Sequence, residues 1–250
     1  MAWREYIEAF HSHRPGITEA VLASARDSEA SSPYQWVAGA LPGEGPVLDL
    51  ACGSGPMLAT ESAGRFIGID RSEAELARAS QQGHSPLVRG DAELLPFETS
   101  RFVAVACSMA LMVVESPEVV LAEIRRVLDP DGSATFLLPG SLPLSARDIV
   151  RYAHLMRALR VPRPVYPNRV HVLGLRRTLR SGGFQVRDDS RRRFSYAFED
   201  SRATRLFVES LYAPGCPSDR MDEAQRVASR WIGSDIGIPL RRVVCGRSEE

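Results

Sequence analysis

The chain contains no lysine: all 31 of its basic residues are arginine, and 31 acidic residues balance them. The formal net charge is therefore zero, which argues against a general nucleic-acid-binding protein, because such proteins carry an excess of positive charge. The four cysteines, Cys52, Cys107, Cys216 and Cys245, lie far apart and form no CxxC pair. This spacing indicates neither a zinc site nor disulfides, so we expect reduced thiols in a cytoplasmic protein.

Long apolar runs are also missing. The longest, VAVACSMALMVV at 103–114, is too short to span a bilayer and is interrupted by Ser108. The first residues, MAWREYIEAF, carry charges every few positions and include no apolar segment of the signal-peptide kind. We therefore expect no membrane partner.

From about residue 46 the chain alternates between short apolar segments and helical patterns. One helix is expected from about Pro56, and another over SEAELARASQQG, which begins with a capping box of Ser72 and Glu75. Strands and helices joined by short connections are typical of a parallel sheet with helices on both faces. The predicted strands are VLDLA (47–51), FIGID (66–70), PLVRGD (86–91), FVAVACS (102–108) and SATFLLP (133–139).

Further helical patterns precede the first strand and follow the fifth. Residues 1–45 contain three short ones, and 146–160 is amphipathic, with one apolar stripe that includes Ile149 and Leu159. The segment 190–236 lies between the predicted strands FQVRDDS and IPLRRVVC and is too long for a plain turn. We therefore predict a helical lid formed by about 141–180 and 190–236.

The segment from Arg147 to Arg193 is rich in arginine, with 13 arginines against three acidic residues. Three interpretations are open. The arginines can be solvated helix faces, they can hold an anionic substrate by forked guanidinium contacts, or they can form a docking surface for an acidic carrier protein.

Glycines and acidic residues follow successive predicted strands. Gly53 and Gly55 open the segment after the first strand, where a bare backbone lets a ligand approach closely. The dinucleotide fingerprint requires a third small residue at position 58, where this chain has Leu58. Asp70 and Asp91 end the next two strands, and a strand-end carboxylate can accept hydrogen bonds from a ribose or an adenine amino group. These glycines and carboxylates are expected at the carboxyl edge of the sheet, where open α/β sheets bind ligands.

In these segments the sequence resembles the class I S-adenosylmethionine-dependent methyltransferases, particularly the group that includes the ubiquinone and menaquinone methylases. The resemblance covers about 45–140 closely, together with LRSGGFQV and the terminal strand. It implies a Rossmann-like, doubly wound α/β sheet of seven strands, the last antiparallel, with N-terminal helices and a helical lid. The segments that carry it are VLDLACGSG, FIGIDRS, GDAELLPF and EVVLAEIRRVLDPDGSATF.

The resemblance also implies positions for the cofactor, S-adenosylmethionine. Its methionine part is expected beside Asp49, Ala51 and Gly53, and its ribose at Asp70 with Arg71 adjacent. Asp91 and Ala92 are expected at the adenine, and Ser108 beside the sulfonium.

A general base is needed only if the acceptor holds its proton at neutral pH. Relatives often carry a histidine after the fourth strand, where this chain has MALMVVE. The candidates are therefore His11 and His13, and we prefer His11. No third ligand has the spacing to complete a metal site with them, so no metal is predicted. The expected acceptor-binding residues are Met109, Arg151, Tyr166 and Arg169.

The sequence thus predicts an N-terminal helical cap (1–45) and a methyltransferase domain (46–250). Residues 1–16 and 141–236 are expected to close a positively charged acceptor pocket. The predicted activity is methylation of a small molecule of specialised metabolism by a monomer or homodimer. The acceptor atom stays open among O, N, C and S. Two alternatives stay open: a cofactor-binding protein with a non-methylating or regulatory role, and an RNA or protein methyltransferase.

Overall fold

The structure is a computed structural model that describes residues 2–60, 65–162, 165–168 and 174–248. Seven strands form one mixed sheet in the order β3-β2-β1-β4-β5-β7-β6. The first five strands pair in parallel, and β7 is antiparallel to both β5 and β6. The strands are β1 (Val47–Leu50), β2 (Phe66–Asp70), β3 (Leu87–Arg89), β4 (Phe102–Ser108), β5 (Leu128–Pro139), β6 (Phe184–Phe198) and β7 (Ser234–Arg247). The predicted α/β sheet with an antiparallel last strand is confirmed.

Helices cover both faces of the sheet, because alternate strand residues point to opposite sides. Val47 and Ala104 belong to the apolar cluster that includes α2, α3 and α8 residues, whereas Leu48 and Val105 belong to the cluster with α5 and α7. None of the described helices is both long and apolar enough to cross a membrane. The helices are α1 (Trp3–His13), α2 (Ile17–Ser24), α3 (Pro33–Ala38), α4 (Glu73–Gln81), α5 (Pro117–Val127), α6 (Ala146–Leu159), α7 (Leu175–Ser181), α8 (Ser201–Glu209) and α9 (Ser218–Ser229).

Two local predictions near β1 and β2 need correction. The described part of the helix expected from about Pro56 forms turns up to Thr60, and the rest of that prediction falls on 61–64, outside the described residues. The capping box at α4 is only half formed. Ser72 Oγ accepts from the Glu75 amide, but the Glu75 side chain is turned away, to His11 and to the amide of Gly16.

The segment predicted as a lid from residue 190 begins as strand. β6 continues to Phe198 and pairs with β7 along its whole length, so only α8, α9 and their connections are non-strand. Phe194, Tyr196 and Phe198 are buried at every second position, which is the period of a strand with one face in the core. The run of arginines before them obscures this alternation in the sequence.

Helix α6 is rotated relative to the predicted apolar stripe. Ile149 is 53% exposed, whereas Leu155 and Leu159 are buried. The buried face also contains a carboxylate, Asp148, which the fork of Arg193 and the amide of Gly237 bind. This polar anchor joins the buried face of α6 to β6 and β7.

Candidate functional site

A cavity of about 520 Å³ opens at the carboxyl ends of β1, β2 and β4. The strand order reverses between β1 and β4, which is the topological position where open α/β sheets bind ligands. The volume lies within the range of small-molecule sites. The turn after β1, the ends of β2 and β4, helix α1 and Tyr212 contribute to its wall.

The turn after β1 brings the backbone close to a side chain from α2. Ala51 and Gly53 both have positive φ angles, +56° and +53°. A side chain on Gly53 would collide with Oε1 of Glu19, so the bare backbone there admits a carboxylate from within the protein. Gly55 instead faces the ring of His84, and its lack of a side chain serves packing.

Asp70, at the end of β2, joins this turn to the start of α4. Its Oδ2 accepts a hydrogen bond from the Gly53 amide at 2.9 Å, and its Oδ1 accepts from the Ser72 amide at 2.8 Å. Burial raises the pKa of Asp70 although both amides oppose the shift. Each carboxylate oxygen can accept a second hydrogen bond, so the fixed group can still bind hydroxyl donors in the cavity.

Two buried polar atoms in the cavity wall lack partners among the described residues. These are Oδ2 of Asp49 and Oγ of Ser108. Asp49 is 1% exposed, and burial together with the charges of Asp70 and Glu19 raises its pKa well above the ordinary value. A buried polar group without a partner is costly unless water or a ligand satisfies it. The pair therefore marks where a polar ligand would be held.

One face of α1 forms the outer wall of the cavity. Arg4 donates to Oδ2 of Asp91 at 3.1 Å, and Trp3 Nε1 donates to the carbonyl of Val113 at 2.8 Å. Glu8 forms an ion pair with Arg71, next to Asp70. These contacts hold the helix against the ends of three strands.

His11 lies between a carboxylate and a phenol. Its Nδ1 is 2.8 Å from Oε1 of Glu75, and its Nε2 is 3.1 Å from the hydroxyl of Tyr212. Burial would lower the pKa of His11, but the hydrogen bond to Glu75 and the charge of Glu19 outweigh it and raise the pKa. His13, the other candidate base, is exposed and contacts the carbonyl of Ala9.

The cavity is acidic, which contradicts the expected positive charge. The lining arginines are already paired with carboxylates: Arg4 with Asp91, Arg71 with Glu8 and Arg89 with Glu73. Acidic side chains outnumber them in the wall, which contains Glu8, Glu19, Asp49, Asp70, Glu73, Asp91, Glu93 and Glu115 beside Arg4, Arg71, Arg89 and His11.

Residues 48–136 match a protein-family model described as a methyltransferase domain. Over these residues the chain is similar to class I methyltransferases. The donor implied by this domain class is S-adenosylmethionine.

Two methyltransferases from other organisms are similar to part of this chain. The 2-phytyl-1,4-naphtoquinone methyltransferase of Synechococcus elongatus is 39% identical over 115 residues, which are 41% of this chain and 48% of that protein. The demethylmenaquinone methyltransferase of Corynebacterium kroppenstedtii is 34% identical over 120 residues, 47% of this chain and 52% of that protein. The chain thus spans about half the length of these relatives.

Among solved structures, the [4+2]-cyclase SpnF is similar in fold. The TM-score is 0.55 at 20% identity, and the match covers 87% of this chain and 81% of that one. A protein described as a cyclase shares this fold, so the fold alone does not decide the reaction.

Most of the residues predicted from the sequence come together in the wall of this cavity. Arg151 and Tyr166 are not part of that wall, and Arg169 lies outside the described residues. The ring centroid of Tyr166 lies 6.3 Å from that of Tyr212. The residues in the wall are His11, Asp49, Ala51, Gly53, Asp70, Arg71, Asp91, Ala92, Ser108 and Met109.

Arg151, which the sequence predicts as an acceptor-binding residue, lies outside the cavity wall. Its guanidinium lies over the ring of Trp231 at 5.2 Å and donates to Ser234 Oγ at 2.8 Å. Many of the other arginines in this region are paired internally. Arg193 binds Asp148, and Arg192 binds Asp27. These ion pairs support a fourth interpretation of the arginine-rich segment, in which its arginines fasten α6 and the segment after α2 to β6.

The wall also contains residues that the strand-end pattern does not predict, among them Glu19, Tyr34 and Tyr212. Glu19 and Tyr34 precede the first strand, and Tyr212 follows α8, about 160 residues beyond β1. Only tertiary packing brings them to the strand ends. No local pattern around them signals a site.

Proposed function

We propose that this protein transfers a methyl group from S-adenosylmethionine to a small-molecule acceptor of specialised metabolism in the cytoplasm. One observation carries the proposal. Asp70, anchored by two backbone amides, shares a cavity with the unpartnered buried atoms Asp49 Oδ2 and Ser108 Oγ, at the strand ends of a methyltransferase domain.

The residues of the cavity fit the donor. Asp70 would hold the ribose hydroxyls, and Asp91 with Ala92 would border the adenine. Asp49, Ala51 and Gly53 would surround the methionine part, with Ser108 towards the sulfonium. The sulfonium supplies a methyl group that is electrophilic without further activation, so the protein has mainly to align a nucleophile. Alignment can contribute up to about 7 to 11 kcal/mol of the barrier reduction.

The contacts of His11 support a route for the acceptor proton. Glu75 is an acceptor, so Nδ1 of neutral His11 carries the hydrogen and Nε2 accepts from the Tyr212 hydroxyl. The oxygen of Tyr212 can then take a proton from the acceptor while its own proton passes to His11. In this proposal His11 is the base, Tyr212 is the group that touches the acceptor, and Glu75 positions the imidazole.

The acidic residues of the cavity wall favour an acceptor of different charge from the one that the sequence suggests. Every arginine lining the described cavity is committed to a carboxylate, so the wall offers no unpaired cation to an anion. Met109, Trp3 and Tyr212 add apolar surface. A neutral or cationic molecule with an apolar body therefore fits better than the anionic acceptor that the arginine-rich segment suggested.

The test is a screen of metabolite extract with methyl-labelled donor. We expect label in a small-molecule product, with matching release of S-adenosylhomocysteine. Asp70→Asn should lose most of this turnover. Glu29→Gln, at a carboxylate that is 68% exposed and does not line the cavity, should retain it. Label found only in RNA or protein, or donor binding without any turnover, would contradict the proposal and favour one of the two alternatives.

A further inference from the structure

We infer that Glu19 binds a primary ammonium group, and specifically the α-ammonium of the donor. The inference rests on the proposed function, because it takes S-adenosylmethionine as the occupant of the cavity. It assigns a role to a residue that no strand-end motif contains.

Glu19 is held in a defined position at the cavity wall. Its Oε2 accepts a hydrogen bond from Thr18 Oγ1 at 2.7 Å. Its Oε1 lies against the backbone of Gly53, so closely that any side chain there would collide with it. The carboxylate therefore projects to the turn that follows β1, beside the unpartnered Oδ2 of Asp49 in the same wall.

Among the described residues, the carboxylate of Glu19 is not neutralised by a guanidinium. No arginine forms an ion pair with it in the part of the chain that the structure describes, and the arginines of the cavity wall bind other acids. Burial and the charge of Glu75 raise the pKa of Glu19. A cationic ligand would offset the cost of keeping Glu19 and Asp49 charged side by side.

The chemistry of the two carboxylates selects the kind of cation. A sulfonium has no N–H group, so it cannot satisfy Asp49 Oδ2. A guanidinium binds best through a fork to both oxygens of one carboxylate, and one oxygen of Glu19 already accepts from Thr18. An ammonium has three separately directed donors. It suits single oxygens offered by two different side chains.

The experiment is a titration of S-adenosylhomocysteine and its deaminated analogue, in which hydrogen replaces the α-amino group. Calorimetry should show that the wild-type protein binds the complete ligand about ten- to hundred-fold more tightly, as expected for a charge-assisted hydrogen bond. Glu19→Gln should weaken the complete ligand by a similar factor and leave the analogue unchanged. Glu29→Gln is the matched control and should change neither affinity, because Glu29 does not line the cavity.

The outcomes separate the inference from the proposed function. Absence of any binding to the wild-type protein would remove the proposed function itself. If the wild-type protein binds the two ligands with equal affinity, the inference is overturned, and this measurement needs no variant. The inference is also overturned if Glu19→Gln weakens the binding of both ligands equally. An amine acceptor is the other source of an ammonium. Suppose that Glu19→Gln, saturated with S-adenosylhomocysteine, no longer binds n-butylammonium but keeps the wild-type affinity for S-adenosylhomocysteine. That result would overturn the assignment to the donor.

Discussion

Arg193→Gln removes the cation that compensates a fully buried carboxylate, Asp148. Asp148 is fully buried at the start of α6, and Arg193 on β6 binds it through a fork of 2.8 and 3.0 Å. Burial would raise the pKa of Asp148. Hydrogen bonds from Arg193, Ser145 and Gly237 outweigh burial and hold the pKa well below its ordinary value.

Breaking such a pair from one side costs about 3 to 5 kcal/mol, since it leaves an uncompensated charge in the interior. The side chain of Arg193 is 25% exposed, and Ser145 and Gly237 continue to donate to Asp148. We therefore expect the lower end, about 3 kcal/mol. For a chain of this length that corresponds to a fall of about 6 to 12 °C in melting temperature.

Urea unfolding followed by tryptophan fluorescence measures the free energy of unfolding. The control is Arg191→Gln, whose guanidinium is 46% exposed and 3.7 Å from Asp189, and which should cost less than about 1 kcal/mol. Adding Asp148→Asn to Arg193→Gln should restore part of the loss. Because the pKa of Asp148 is depressed in the folded protein, its contribution is complete above the ordinary pKa and declines as the pH falls below about 4. Equal losses in the Arg193 and Arg191 variants would refute this account of the arginine-rich segment.

Three further predictions concern the site. With a protic acceptor, the rate should rise with pH through the raised pKa of His11, because only neutral His11 accepts a proton. Glu75→Gln should move the midpoint of this profile to lower pH. A flat pH–rate profile would contradict the role of His11. Tyr212→Phe should lower kcat about 100-fold or more and change the affinity for S-adenosylhomocysteine little, whereas a loss of affinity alone would make Tyr212 a cofactor-binding residue. Arg151→Gln should leave the KM of the acceptor unchanged in steady-state assays, because its guanidinium contacts Trp231 and Ser234; a raised KM would restore Arg151 to the acceptor pocket.

The strand-end residues of the site could be predicted because parallel strands meet at one edge of the sheet. Asp49 and Asp70 lie in the short apolar segments that form β1 and β2, and Asp91 follows β3. The order of these segments along the chain predicts that all three residues lie at the same edge of the sheet. The residues that approach this edge from outside could not be predicted in the same way. Glu19 and Tyr212 reach it through the packing of α2 and of the segment after α8, and their distance along the chain carries no periodic signal.

The errors in the C-terminal half share one physical cause. Hydrophobic periodicity predicts which face of a helix is buried, but a buried ion pair can override it. The Asp148–Arg193 pair turns α6, and the arginines ahead of Phe194 hide the continuation of β6. Charged residues are normally excluded from cores unless they are paired. Sequence reasoning that treats arginine as surface therefore misplaces both elements.

Binding of S-adenosylhomocysteine to the wild-type protein and to Asp70→Asn, measured by calorimetry, decides whether this cavity holds the methyl donor. Asp70 lies in the cavity wall and is fixed by the amides of Gly53 and Ser72. We expect saturable binding to the wild-type protein with one site per chain. In the variant the affinity should be about ten- to hundred-fold weaker, through the loss of charge-assisted hydrogen bonds. No binding by the wild-type protein, or equal affinity in the correctly folded variant, would contradict the assignment of this cavity to the methyl donor.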